Sequence, residues 1–581
     1  MRQVLCPGHE FRRPALGGPG LHPGRPSGDF GLRASMAAGG ASLLLRGLGG
    51  LGPLRPDPPR EPTAGTHRGA LRPVASSRIA LCVAGGGWPL ALHSPSPRRP
   101  LGSASGSAGR PSLAPSAEGR GRGPPTGGSP LRLGREVIWM NIIVIVTDSL
   151  RADHCSCYPM CVSYNGRKVA TPTMERLAAA GTLFEHAYAE SLPTIPTRTT
   201  WWTGRVGFPF RGWQPFLPSD YLLAEVLWDK GFTSALITDT YHMHKPIYNC
   251  GRGFDTVVWV RGQEYDPWIV DEDIQVDLAL WHRLRGDDSD ALWRPRFEQY
   301  LRNRSTFKGE EDWFAPRVTQ EAIRWLEDAV KRRGLKDRLF LWVDYFDPHE
   351  PWDPPEPYWS MYRDPTYRGQ DLIDPVPGPV EGYLAPEEVQ RVKSLYAGEV
   401  TFVDKWVGVL LEAVRELGLY EDSLILWLSD HGEPFGEHGI IRKARPWNYE
   451  ELVRVPFLLK LPASLQERMG PVPKRVRALV QPTDVMPTIL DALGISTPLP
   501  LLHRAPQTTG TFPQDLVVER KEIPLHGFSL LPLLRGEVEK VRDWAYTGHY
   551  RQSWAVQNEE WRFQMFLDGS RPPELFHRSQ D

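Results

Sequence analysis

From Asn141 to Thr147 the chain reads N-I-I-V-I-V-T, an apolar, β-branched run with no polar alternation. A strand with one face in water alternates apolar and polar residues, so this run is expected at the centre of a parallel sheet covered on both faces. Beyond it, helical and strand-like segments take turns. Thr171-Pro172 supplies a helix cap and first residue, Met174, Leu177 and Ala178 an apolar stripe, and Gly181 a stop. Residues 223–230 form a helix closed by Gly231, and 234–238 a strand; 318–331 is an amphipathic helix before a strand at 339–343. A long helical pattern runs over 386–417, loosened at Gly398. Strands at 424–428 and 457–461 precede a helix at 483–493 that ends at Gly494. Strands alternating with helices imply right-handed crossovers. The expected fold class is therefore α/β: a doubly wound, mostly parallel sheet with helices on both faces.

After a Pro-rich connection over 496–525, residues 555–557 and 561–566 flank Asn558-Glu559-Glu560 as a hairpin. Residues 526–581 are expected to form a small C-terminal antiparallel-sheet subdomain packed on the main unit, which spans 140–495.

The N-terminal part differs. The formal charge of −1 hides a split: residues 1–139 hold 18 Arg, no Lys and 6 acidic residues, net +12, which leaves −13 for the rest. An acidic body does not suit a nucleic-acid surface. Residues 1–139 also hold 27 Gly and 20 Pro, about a third of the segment and beyond the ~25–30% that marks low complexity. Such a segment cannot bury enough apolar surface to offset its ordering entropy. It reads as a flexible basic arm, as disorder without a role, or as a mis-assigned extension; the missing lysine and the position of Met140 favour a true start at Met140. The six Cys, with Cys155, Cys157 and Cys161 clustered, form neither a disulfide framework nor a zinc pattern, as expected of thiols in a reducing compartment. No apolar run reaches the ~18 residues of a membrane span, and the start has no secretory pattern. The expected location is cytoplasmic.

The chemistry concentrates at Ser191–Arg205, S-L-P-T-I-P-T-R-T-T-W-W-T-G-R. Thr194 lies two residues before Pro196 and four before Arg198. Pro196 stiffens the start of a helix, where backbone N–H groups and the Arg198 guanidinium converge on a volume fit for a tetrahedral oxyanion. Ligands of open α/β sheets bind beyond the carboxyl ends of the strands. Asp148 stands at one such end, and Asp430 and His431 at another, in S-D-H-G-E-P-F-G-E-H-G. Oxygen donors with one imidazole suit one divalent ion: Ca²⁺, Mg²⁺, Mn²⁺ or Zn²⁺. Such an ion would lower the pKa of the Thr194 hydroxyl, a poor nucleophile while neutral.

This order of motifs resembles the sulfatase family of the alkaline-phosphatase-like superfamily, in which Cys or Ser precedes x-Pro-x-Arg and Thr-Gly-Arg follows. The resemblance runs from Met140 to about Gly494 and includes the C-terminal tail. It is supported by T-P-T-M-E-R-L-A-A-A-G-T-L-F-E-H-A-Y from Thr171, D-P-H-E-P from Asp347 and Y-E-E-L-V-R-V-P from Tyr449. It implies a metal shell of Asp148, Thr194, Asp430 and His431, with Arg198 holding nucleophile and anion. His349 would contact the ester group, or else stabilise a turn; Lys443 would reach the anion, or else be a solvated lysine. Ser149 stands where family members often have a second Asp. The family's Gly-Lys-Trp-His stretch is replaced by T-D-T-Y-H-M-H-K, which offers His242, His244 and Lys245 as substrate-binding candidates. Asp344 and Asp347 are candidates for a second metal, at unpersuasive spacing. The aromatics of 207–218 form either a substrate wall or a packing surface, and 260–315, rich in Trp, Asp and Arg and without a clear element pattern, is an expected insertion near the site entrance.

Sulfatases of this family oxidise the Cys or Ser to formylglycine. The β-methyl of Thr would give a ketone instead, so that route is closed. An unmodified Thr alkoxide can attack phosphorus in line. The expected enzyme is a metal-dependent hydrolase of phosphate or phosphonate esters, with sulfate esters as the alternative. The expected substrates are small-molecule, carbohydrate or lipid esters. A phosphoryl mutase would need a fuller two-metal ligand set, and a non-catalytic anion binder would be expected to have lost a ligand.

Overall fold

The computed structural model describes residues 139–495, 497 and 524–578. The expectations for residues 1–139 and for the 496–525 connection fall almost wholly outside them. The central sheet has eight strands, in the order Arg475–Val480, Thr182–Ala187, Phe457–Lys460, Ser423–Leu428, Asn141–Thr147, Leu339–Tyr345, Thr233–Thr238 and Thr256–Trp259. Only Phe457–Lys460 runs against the others. Asn141–Thr147 is buried along its length and pairs in parallel with Ser423–Leu428 and Leu339–Tyr345.

Its unbroken apolar run serves two cores. Ile143 and Ile145 join a layer with Val318, Ala322 and Leu326 of the helix Phe314–Glu327 and the buried face of the helix Pro386–Glu416. Ile142, Val144 and Val146 join Trp201, Trp202, Leu223, Leu227, Met486 and Ile489 on the other side. Each such side chain contributes about 1.5–3 kcal/mol on burial, so the sheet requires helices on both faces.

Two local expectations are corrected. Thr171 does not cap the Pro172–Ala180 helix; its hydroxyl meets Ser156 at 2.9 Å. The helix is capped from a distance by Asp404, which accepts from the N–H groups of Thr173 (2.9 Å) and Met174 (3.0 Å). Nor is the Pro386–Glu416 helix loosened at Gly398. The glycine admits a close crossing, because a β-carbon there would lie 2.5 Å from the Tyr358 carbonyl oxygen.

At the C-terminus Ala545–His549, Ser553–Gln557, Trp561–Phe566 and Glu574–His577 form an antiparallel meander. Its remaining edge takes up Ser191–Leu192 in parallel, Gly548 opposite Ser191 and His549 opposite Leu192. The segment leading to Thr194 is thereby held between the two sheets. The short helix Leu531–Leu534 belongs to the main core. No helix among the described residues is long and apolar enough to cross a membrane.

Candidate active site

Thr194 opens the helix Thr194–Thr203, two residues beyond the Ser191–Leu192 strand. Asp148 directly follows the central strand, and Asp430 and His431 follow its neighbour Ser423–Leu428 by two and three residues. The structure brings all four together and buries them. The ligand atoms of Asp148, Asp430 and His431 lie within 4.8 Å of one another. His431 Nδ1 donates to the Gly432 carbonyl at 2.8 Å, which leaves the Nε2 lone pair facing the Thr194 hydroxyl at 3.5 Å. Burial pulls His431 down to about 4, which favours the neutral ring, the form able to ligate a metal.

One helical turn past Thr194, Arg198 is fully buried. Its Nε and Nη2 donate to Asp344 at 2.9 and 2.6 Å, Nη1 to Asp430 at 2.7 Å and to the Thr194 carbonyl at 3.1 Å, and Nη2 also to Asp148 at 3.1 Å. The guanidinium thus fixes the Asp148, Asp344 and Asp430 carboxylates and the Thr194 backbone, and its fork is committed to protein groups. Burial opposes the Arg198 charge, but Asp344, Asp430 and Asp148 outweigh it and raise the pKa. Fully ionised, the three buried carboxylates facing one guanidinium would leave an excess of two negative charges. A divalent cation would balance that excess, and two carboxylates, an imidazole and a hydroxyl are ordinary donors for one. Burial and the nearby Asp430 hold Asp148 well above the usual carboxylate range.

Ser149 occupies the left-handed region (φ 61°). Its N–H donates to Asp430 at 3.1 Å and its hydroxyl to Asp148 at 3.1 Å. It supports Asp148 and Asp430 from a position where family members often have a further carboxylate.

A second polar group adjoins the first through Ser149. Lys443 Nζ stands 3.4 Å from the Ser149 hydroxyl, donates to Glu350 at 3.2 Å and pairs with Glu433. Burial disfavours its charge, and Glu350 and Glu433 raise its pKa in spite of this. His349 stacks on Phe346 at 3.9 Å and donates from Nδ1 to the Glu350 carbonyl at 2.9 Å; burial pulls it down to about 3. Glu264 lies between His242 and His349, 3.1 and 4.0 Å away.

Of the three substrate-binding candidates, His242 reaches this group through Glu264. His244 packs against Trp259 at 4.9 Å. Lys245 lies exposed, with its ammonium over the Tyr241 ring at 4.9 Å. Asp344 gives both oxygens to Arg198, while Asp347 accepts from Gln263 at 3.0 Å and from the Ala315 N–H at 3.2 Å. Neither belongs to a metal-capable group among the described residues. The 207–218 aromatics divide: Phe216 stacks on Trp202 at 5.3 Å, whereas Phe210 is 71% exposed. Sequence reasoning does not single out Glu264, Glu350 or Glu433. Glu350 and Glu433 sit inside the D-P-H-E-P and S-D-H-G-E stretches, where a signal existed; Glu264 lies in a span without periodicity.

The family model described as Sulfatase matches residues 140–495. The chain belongs to the sulfatase family. An arylsulfatase of Clostridium perfringens is 27% identical over 422 residues, 65% of this chain and 79% of its own. PehA of Trinickia caryophylli, a multifunctional alkaline phosphatase superfamily protein, is 25% identical over 409 residues, 62% of this chain and 74% of its own. Among solved structures, the phosphonate monoester hydrolase of Agrobacterium radiobacter superposes with a TM-score of 0.53 at 19% identity, over 76% of this chain and 90% of its own. That likeness shows the shared fold. This sulfatase-family member is an ester-hydrolysing enzyme of a family that uses a divalent metal, and Asp148, Asp430 and His431 form a group able to hold one.

Proposed function

We propose that this sulfatase-family enzyme cleaves phosphate or phosphonate esters of small molecules, carbohydrates or lipids, with unoxidised Thr194 as nucleophile. The observation that carries this is Thr194 itself. Its hydroxyl stands 3.5 Å from His431 Nε2 in the buried ligand group, and its β-methyl closes the aldehyde route. Bound by Asp148, Asp430, His431 and Thr194, a divalent ion would supply Lewis acidity that lowers the hydroxyl pKa and offsets charge on the substrate oxygens. Arg198 holds the Thr194 carbonyl and so aims the hydroxyl from the first turn of its helix. The Thr194 oxygen, its proton given up to water, forms a bond to phosphorus as the bond to the leaving-group oxygen breaks. Water then displaces Thr194 and releases the phosphoryl product. Lys443 faces the anion from the Ser149 side, and His349 meets the leaving group. Sulfate esters are the second reading, favoured by the 27%-identical arylsulfatase.

The test is a panel of aryl phosphate, phosphodiester, phosphonate and sulfate esters with wild type and Thr194→Ala. The expected result is faster turnover of a phosphorus ester, reduced on the order of 10³-fold or more in the variant. Fastest turnover of the sulfate ester would overturn the phosphoryl preference.

A further inference from the structure

The loop over 207–218 carries aromatic rings that the reaction does not use, and it is fastened to the segment that leads to Thr194. The Gly207 N–H donates to both oxygens of the buried Glu190 carboxylate, at 3.2 and 3.1 Å. Glu190 also accepts from the Ser191 hydroxyl at 2.6 Å and from the Thr200 hydroxyl, on the nucleophile's helix, at 3.0 Å. The approach is close: a β-carbon on Gly207 would lie 2.5 Å from the Ser191 hydroxyl oxygen. Further along, Asp220 ties the loop to itself, accepting from Arg211 at 2.6 Å and from the Leu217 N–H at 2.7 Å. The loop is thereby held in place relative to Thr194.

Trp213 of this loop stands at the outer end of a row of rings. Its indole N–H donates to the Tyr248 hydroxyl at 2.7 Å, and its ring meets His242 edge to face, centroids 4.9 Å apart. His242 meets Phe346 at 6.1 Å, and Phe346 stacks on His349 at 3.9 Å. Exposure rises outward along the row. Phe346 and His349 are buried, the His242 side chain is 15% exposed and Trp213 is 40% exposed. A tryptophan held by packing and a hydrogen bond, yet partly in water, presents apolar area that a ligand can cover. Because the ring is already ordered, covering it loses little side-chain entropy. Phe210, more exposed on the same loop, lies outside the row.

We propose that Trp213 determines specificity for the leaving group, by stacking on a second ring with an apolar face. This deepens the proposed function and rests on it, because there the leaving group departs on the His349 side. The row leads outward from His349 to Trp213. A leaving group long enough to follow it reaches the indole, whereas one confined to a single ring stays short of it.

The experiment measures kcat and KM of the metal-loaded enzyme on a phenyl and a biphenyl-4-yl ester. The two phenols are of similar acidity, so the chemical step is alike. The esters belong to whichever of the phosphate, phosphonate and sulfate classes wild type turns over fastest. Wild type is expected to favour the biphenyl-4-yl ester on the order of 10-fold in kcat/KM, through a lower KM. Trp213→Ala should lose that preference by a rise in KM for the biphenyl-4-yl ester alone, with kcat on both esters kept within about 2-fold. Trp213→Leu fills the place without a ring and should lose most of the preference, which keeps the test decisive if Trp213→Ala does not fold. Trp213→Phe should retain most of it, and Phe210→Ala all of it. No preference in wild type, or a preference that survives in Trp213→Ala or Trp213→Leu, overturns the role of Trp213 while turnover of the phenyl ester leaves the proposed function standing. A wild type that turns over neither ester in any class overturns the proposed function and this proposal with it.

Discussion

Arg198 meets Asp344 at two points, Nε to one carboxylate oxygen at 2.9 Å and Nη2 to the other at 2.6 Å, both residues buried from solvent. The same guanidinium reaches Asp148 and Asp430. Removing it would leave three carboxylates in a dry interior without their cation. Arg198→Met is expected to lower stability by about 3–5 kcal/mol, read from urea unfolding. Arg198→Lys should not restore it, because an ammonium lacks the planar fork. A wild-type-like Arg198→Lys would contradict this assignment.

The excess of negative charge at Asp148, Asp344 and Asp430 links stability to metal. Extensive dialysis against a chelator should abolish activity and lower Tm, with both restored by one of Ca²⁺, Mg²⁺, Mn²⁺ or Zn²⁺. At a hundredfold excess over Kd the ion adds about 2.7 kcal/mol. His431→Ala should remove most of that metal-dependent gain. An unchanged Tm on adding each of the four ions would argue against a metal site here.

His282 gives a pH prediction away from the Asp148, Asp430 and His431 group. It is buried against Phe297, with ring centroids 4.0 Å apart, and burial pulls it from 6.5 to about 3. The folded value lies below the unfolded one, so as pH falls the unfolded chain takes the proton first. Stability is lost below about pH 6.5, by about 1.4 kcal/mol per pH unit, until the folded ring titrates. His282→Phe keeps the stacking and lacks the proton. Its stability relative to wild type should rise by about 2–3 kcal/mol between about pH 7 and about pH 4.5. A constant difference across that range would contradict the burial account.

Gly398 reverses an ordinary expectation. Within an exposed helix Gly→Ala gains about 1 kcal/mol. Here the new methyl would lie 2.5 Å from the Tyr358 carbonyl oxygen. Gly398→Ala is expected to destabilise by about 1–3 kcal/mol, measured by thermal or urea unfolding, and a stabilised variant would rule out the close crossing.

The features legible in the sequence are local and periodic. The run at Asn141–Thr147 announces a two-faced strand, and the x-Pro-x-Arg and S-D-H-G-E spacings draw Thr194, Arg198, Asp430 and His431 toward one place. The features that stay hidden depend on partners distant in the chain. Asp404 caps a helix that begins at Pro172, and Ser191–Leu192 is too short to register as a strand until Gly548–His549 pairs with it. By its motif Arg198 is a hold on nucleophile and anion; the fold commits its fork to carboxylates and to the Thr194 carbonyl. Glu264 has no motif, and only the fold sets it between His242 and His349.

The central claim is that an unmodified Thr194 takes the transferred group, and peptide mass spectrometry of acid-quenched enzyme during turnover of an aryl phosphate or phosphonate ester tests it most directly. The account predicts one phosphoryl or phosphonyl group on the peptide carrying Thr194, with that peptide otherwise of its encoded mass and the adduct lost in Thr194→Ala. Turnover undiminished in Thr194→Ala, or the group found on another residue, would contradict it.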